Sequence, residues 1–144
     1  MVVHVRRVGI VLVPIPQYAK PGDAGLDLPY AATEAILLPA GCQTLLPTGL
    51  SFAIPEGFEG QVRPRSGQTM RGRLAAIGTI DSGYRGEVMV LVQNVTNVPI
   101  RIEPLERIAQ LVISPVLQAE LVEVAELDQT DRGTSGFGST GAGP

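Results

Sequence analysis

Turn residues punctuate this chain at intervals too short for helices. Pro-Ala-Gly at 39–41, Pro-Thr-Gly at 47–49 and Pro-Glu-Gly at 55–57 divide the stretch PAGCQTLLPTGLSFAIPEGFEGQVRP into three short runs. Runs of this length suit strands, because a pleated segment needs only a few residues to cross a small core. The same alternation extends in both directions. VVHVRRVGIVLV reads as a first strand, PIPQYAKPGDAG as a break, then LDLPYA and AILL as strands. EVMVLVQNV, PIRI and RIAQLVISPV continue the set, and a last strand is expected near AELVEV. Only SGQTMRGRLAA, residues 66–76, looks helical, and it is short. The pattern predicts an all-β fold, a barrel or jelly roll, with at most one short helix.

At 144 residues with 44% hydrophobic content, the chain can bury one ordinary core. Trp is absent and aromatics are 4%, so Val, Ile, Leu and Ala must fill it. The last 20 residues differ: AELDQTDRGTSGFGSTGAGP holds five glycines after Arg132 and almost no aliphatic residue. Glycine loses the most freedom on ordering, so the expected organisation is a β-rich domain over 1–125 and a flexible glycine-rich arm over 126–144. Phe137 is a lone aromatic in that arm, with no core to join.

Charge and chemistry exclude several classes. The net charge is −3, with no basic run for a nucleic-acid groove. The single Cys42 cannot form an internal disulfide, which fits a reducing, cytoplasmic setting, and it reads as a small apolar filler. His4, the only histidine, reads as a surface strand residue. One Cys and one His leave no zinc site and no Ser-His-Asp or Cys-His triad. The arginine-interrupted start, MVVHVRRVGIVLVP, is neither a signal peptide nor a membrane span.

The polar residues where turns meet strands are few. Asp27 lies in DAGLDL, Arg65 and Ser66 in PRSG, and Asp81 and Tyr84 in GTIDSGYRGE. The last segment reads as a hairpin leading into VMVLVQN. Gln110 is a polar residue inside the apolar RIAQLV, either an inward amide satisfied by backbone or a ligand contact. Ser66 could cap the short helix, with or without a phosphate at its free N–H groups. RGTSGFGSTG has the composition of a phosphate cradle but lacks the Gly-Lys-Ser/Thr ending of a P-loop.

Together and in order, PGDAGLDL, PRSG, GTIDSGYRGE, RIAQLVISPV and RGTSGFGSTG resemble the five motifs of the trimeric dUTP pyrophosphatase (dUTPase) family, over nearly the whole length. The intervening LPTGLSFAIPEGFEGQVRP is also similar to that family's pattern. The resemblance implies a jelly-roll-like (β-clip) subunit and a homotrimer with three sites between subunits. It also implies Mg²⁺-dependent splitting of dUTP into dUMP and pyrophosphate, which keeps uracil out of DNA and supplies dUMP for thymidylate synthesis. Neither nucleic acid nor membrane is an implied partner.

It further implies roles. Asp81 matches the catalytic Asp that orients a water and takes its proton as the water attacks the α-phosphorus. Tyr84 matches the Tyr that stacks on deoxyribose and leaves no room for a 2′-hydroxyl. Backbone of the same segment, with Gly78, Ile80 and Met89, would pair with the uracil edge. A cytosine there would leave buried groups unpaired, at ~1–3 kcal/mol each. Arg65, Ser66, Gly67 and Gln110 match phosphate-binding positions, and Asp27 an Asp near the metal, acting through water. Mg²⁺ would be held mainly by the phosphates. Phe137 would stack on uracil while Arg132, Gly138, Ser139 and Thr140 meet the phosphates as the arm closes.

The sequence departs from the family pattern in three places. Gln68 and Thr69 follow PRSG where an apolar residue and Ala are usual. The segment from Ser66 to Asp81 is shorter and lacks an Asn, with Ala75, Ala76 and Ile77 nearby instead. Leu105 stands where Gly often precedes the RIAQLV strand, a turn variant. Two other readings compete. A dCTP deaminase-like enzyme shares the fold and an Asp-x-Gly-aromatic segment, but its strand Glu aligns with Leu91 here. A non-catalytic nucleotide-binding relative would not require Asp81 or the arm.

Overall fold

The computed structural model describes residues 1–134. Among them are eleven strands and one helix. In chain order these are β1 (His4–Arg7), β2 (Gly25–Pro29), β3 (Ile36–Leu38), β4 (Gln43–Pro47), β5 (Leu50–Ala53), β6 (Phe58–Arg63), α1 (Ser66–Thr69), β7 (Arg73–Ala75), β8 (Gly78–Ile80), β9 (Met89–Asn94), β10 (Ile100–Ile102) and β11 (Arg107–Pro115). The fold is almost all-β, as the turn spacing predicts.

Four sheets enclose one core. One runs β2-β11-β6-β8 and another β4-β9-β7, with β1-β5 and β3-β10 as two-stranded pairs. Every pairing is antiparallel. In β9, Val90, Val92 and Asn94 are buried while Met89 and Gln93 are exposed, the period-two pattern of a strand with one inward face. The buried set draws on every sheet: Leu28, Leu46, Leu50, Ile54, Val90, Ile102 and Leu111 are at most 2% exposed. Aliphatic side chains thus close the core with Phe52 and Tyr30, as expected without Trp.

Several expectations are corrected. The first strand is confined to His4–Arg7, with His4 exposed on it. The helical-looking run 66–76 is a four-residue helix followed by a three-residue strand, because Gly72 breaks it and Arg73–Ala75 pairs with β9. No strand forms near 119–124, since the run has no neighbour to supply a ladder; Leu117 and Leu121 are more than nine-tenths exposed. Cys42 is exposed in the turn before β4, not a core filler.

The turn into β11 carries the Leu105 substitution. Glu106 N–H donates to Glu103 O at 3.1 Å, which puts Pro104 and Leu105 at the two central positions. Leu105 has φ +62°, the only non-glycine residue with positive φ among those described. Pro followed by a positive-φ residue is the signature of a type II turn, which prefers Gly in the second place. Leu105 is held there by its N–H to Tyr30 O at 2.8 Å and by the reciprocal Tyr30 N–H to Glu106 O at 2.8 Å. The left-handed conformation costs a side chain roughly 1–2 kcal/mol, against the ~0.5–1 kcal/mol entropic cost of glycine. Leu105→Gly should therefore stabilise the fold by about 0.5–1 kcal/mol and raise the thermal midpoint by a few degrees. A lower midpoint would mean that the half-exposed leucine makes apolar contacts worth more than the strain.

Candidate active site

The segment 78–87 is not a hairpin. Strand β8 pairs with β6 (Gly60↔Ile80, Val62↔Gly78), whereas β9 pairs with β4 and β7. The segment therefore crosses from one sheet to another. Strand β8 is the last of its sheet, so among the described residues no strand satisfies the backbone groups of its outer edge. Beyond it, Tyr84 N–H donates to Asp81 O at 3.0 Å and closes a four-residue turn with Ser82 and Gly83 at its centre. Asp81 is exposed and Ile80 is buried beneath it.

These residues line a cleft of about 240 Å³ walled by Val62, Gly78, Ile80, Asp81, Tyr84 and Met89, among others. Three bonds from the β4–β5 corner fix its far side. Thr48 Oγ1 donates to Val88 O at 2.6 Å, Gly49 N–H to Glu87 Oε1 at 2.7 Å, and Ser51 Oγ to Arg85 O at 2.7 Å. Thr48 and Ser51 are buried. Sequence reasoning passed over both; the signal available was two polar residues inside the apolar LPTGLSF.

A second, more polar cleft of about 690 Å³ gathers Asp27, Arg65, Ser66, Gly67, Arg107 and Gln110 with neighbours. Ser66 does not cap the helix. Arg65 occupies the cap position without a side-chain bond, and Ser66 is the first helical residue. At that position the N–H groups of Ser66 and Gly67 have no intrahelical acceptor. The Asp27 carboxylate is shared between two arginines: Oδ1 with Arg65 Nε at 2.6 Å, Oδ2 with Arg107 Nη1 at 3.1 Å. Both pairs are partly exposed, so each contributes at most about 1 kcal/mol to stability; what they fix is geometry. Arg65 Nη1 also donates to Arg107 O at 3.1 Å.

Gln110 lies across from Asp27 in the β11–β2 register and donates to Pro64 O at 2.9 Å. Its side chain fills the space beside Gly25: a Cβ at that glycine would lie 2.9 Å from Gln110 Cδ and 3.2 Å from its Cβ. Gly25 thus gives Gln110 its room.

Gln68, the first departure from the family pattern, is buried and braces the same cleft. Its Nε2 donates to Glu106 Oε1 and to Arg107 O, each at 3.2 Å. Arg73 donates to Gln68 Oε1 at 3.3 Å, pairs with Glu106, and reaches Arg101 O at 2.6 Å. A polar brace stands where an apolar contact is usual.

Arg132 falls in a turn at the end of the described residues. Phe137, Gly138, Ser139 and Thr140 lie outside them. No group of three or more His, Cys, Asp or Glu is arranged to hold a metal ion among the described residues, and no helix there is long and apolar enough to cross a membrane. The two clefts share no lining residue.

Comparison with known proteins bears on this arrangement. The family model described as dUTPase matches residues 12–141. A deoxyuridine 5′-triphosphate nucleotidohydrolase of Anaeromyxobacter sp. (strain Fw109-5) is 51% identical over 144 residues, covering 96% of this chain and 97% of the relative. One from Fusobacterium nucleatum subsp. nucleatum is 49% identical over 132 residues, covering 90% of each. Among solved structures, the Staphylococcus bacteriophage 80alpha dUTPase with dUPNHPP superposes with a TM-score of 0.88 at 29% identity, covering 98% of this chain and 99% of that one. Matched over residues 12–141 by the family's pattern and over nine-tenths or more of its length by relatives about half identical to it, the chain belongs to the dUTPase family.

Proposed function

We propose that this dUTP diphosphatase splits dUTP into dUMP and pyrophosphate by water attack on the α-phosphorus, with Asp81 as the base that orients and deprotonates the water. The reading is supported above all by the β8 edge and its turn. An unpaired strand edge offers N–H and C=O groups in the alternating order that a uracil edge needs, and Gly78 leaves the approach open. Asp81 and Tyr84 stand at the end of that edge, where the deoxyribose and α-phosphate of a base so paired would come to lie. Stacking of Tyr84 on the sugar would exclude a 2′-hydroxyl by bulk.

Ser66 and Gly67 amides, Arg65 and Gln110 would take the phosphates, so the polar cleft is the charge-neutralising half of the site. Because that cleft and the base cleft share no residue, the site is best assembled from neighbouring chains of a homotrimer. The exposed Leu117, Leu121 and Leu127 suit a segment that is covered in such an assembly. Asp27 is the motif-matched acidic candidate for Mg²⁺ in a cleft that Asp23 and Glu106 also line, and its oxygens are already shared with Arg65 and Arg107. That fits a contact through water, with the triphosphate carrying the ion, whose charge would offset the phosphates when bound. Arg132, Phe137, Gly138, Ser139 and Thr140 would close over the bound nucleotide.

The deaminase alternative lacks its proton carrier. Position 91 is Leu, paired with Leu45 in the sheet. The second carboxylate of the base cleft, Glu87, is tied to Gly49 N–H. The deciding experiment compares pyrophosphate release from dUTP with ammonia release from dCTP under Mg²⁺. Rapid pyrophosphate and no ammonia is expected; intact dUTP would end the reading.

A further inference from the structure

We infer that Gly86 is a specificity-determining position, acting through Tyr84 and not on the backbone; this rests on the dUTP-hydrolysing reading above. Tyr84 is 46% exposed, so the core does not hold it. Two local features do. Its hydroxyl donates to Glu87 O at 2.9 Å. Its ring lies across the α-carbon of Gly86, where a Cβ would stand 2.6 Å from Tyr84 Cζ and 3.0 Å from Cε2. Real Cβ atoms do not approach aromatic carbon so closely, so one partner must move.

The backbone is the poorer candidate to move. Thr48 and Ser51 hold the backbone carbonyls of Val88 and Arg85, and Val88 N–H donates to Leu50 O at 2.8 Å. Arg85 in turn donates to Ser82 O at 2.6 Å and Tyr84 O at 2.8 Å, bracing the turn from its other side. The half-exposed ring has solvent beside it and only one hydrogen bond to lose. Nor does the conformation of residue 86 call for glycine, since it is absent from the positive-φ positions. What position 86 requires is the missing side chain. Gly86 and the Glu87 carbonyl together form a clamp that holds the phenol at one orientation. Under the proposed function that orientation is what closes the sugar position to a 2′-hydroxyl.

The test is a double-mutant cycle of wild type, Gly86→Ala, Tyr84→Ala and the double variant, with kcat and KM measured for dUTP and UTP on enzyme whose far-UV circular dichroism is unchanged. Misplacing a positioning group by about 1 Å can cost ~10²-fold, so Gly86→Ala should lower the dUTP/UTP preference by roughly 10–100-fold. In the Tyr84→Ala background the same change should do almost nothing, because coupled sites are non-additive. Retained preference in Gly86→Ala, or an equal loss in both backgrounds, would overturn the inference; the latter is the mark of a purely structural glycine. If Gly86→Ala does not fold, Tyr84→Phe tests the other jaw of the clamp. Loss of the Glu87 bond should raise UTP turnover, and unaltered discrimination overturns the clamp. Wild-type enzyme that leaves dUTP intact refutes the parent reading itself, and this inference with it, before any variant is compared.

Discussion

Asp81→Asn should lower kcat for dUTP by ~10²–10⁴-fold, the usual contribution of a positioned general base. Affinity for a non-hydrolysable dUTP analogue should stay within about threefold, because the amide keeps the shape and removes only the proton acceptor. The position favours a clean result. Asp81 is exposed, so the substitution buries nothing unpaired, and its backbone carbonyl, not its carboxylate, closes the turn with Tyr84. Among the described residues that line the base cleft, no unengaged acid stands beside it to take over. Glu87, the other acid of the cleft, already accepts the Gly49 N–H at 2.7 Å. Pyrophosphate release under saturating dUTP measures the first quantity and equilibrium titration the second. Unchanged turnover would remove Asp81 from the chemistry. A parallel loss of analogue binding would instead make it a binding group.

The motif residues were legible because each motif is local. Gly25-Leu26-Asp27, Arg65-Ser66-Gly67 and Asp81 to Tyr84 carry their geometry within a few bonds, and the structure gathers them into two clefts. What local pattern could not carry was pairing. GTIDSGYRGE followed by an apolar strand has the look of a hairpin, yet β8 joins β6 because Gly60 lets the two backbones close over Ile54 and Leu111. That choice depends on residues twenty positions away. Ser66 to Ala76 looked helical because nothing within it announces that Arg73–Ala75 will be claimed by β9. AELVEV failed in the opposite sense: the residues suit a strand, but no strand among the described residues pairs with them. Gln68 shows a further limit. Its amide signalled a departure, but its partners Glu106 and Arg107 lie 38 and 39 residues away.

Removing residues 132–144 should cut dUTP turnover by ~10²–10³-fold, the scale on which loss of preorganised donors to a developing charge is felt, while leaving the proposed trimer intact. The two halves of that expectation have separate causes. The proposed trimer would draw its contacts from the β-rich core and from the apolar segment through Leu127, which is exposed on the single chain, and the truncation keeps both. Chemistry, by contrast, needs the triphosphate neutralised and bulk water excluded, and neither cleft of the described residues is enclosed enough to do so unaided. Arg132, Ser139 and Thr140 would add charge and hydroxyl donors to the phosphates, and Phe137 would cap the base. Because these contacts would form with the nucleotide already seated, the loss should fall more on kcat than on KM. Steady-state kinetics and sedimentation of the truncated enzyme decide the matter together. A dissociated trimer would make the arm an assembly element, and an intact trimer with undiminished turnover would show that the two clefts suffice without a lid.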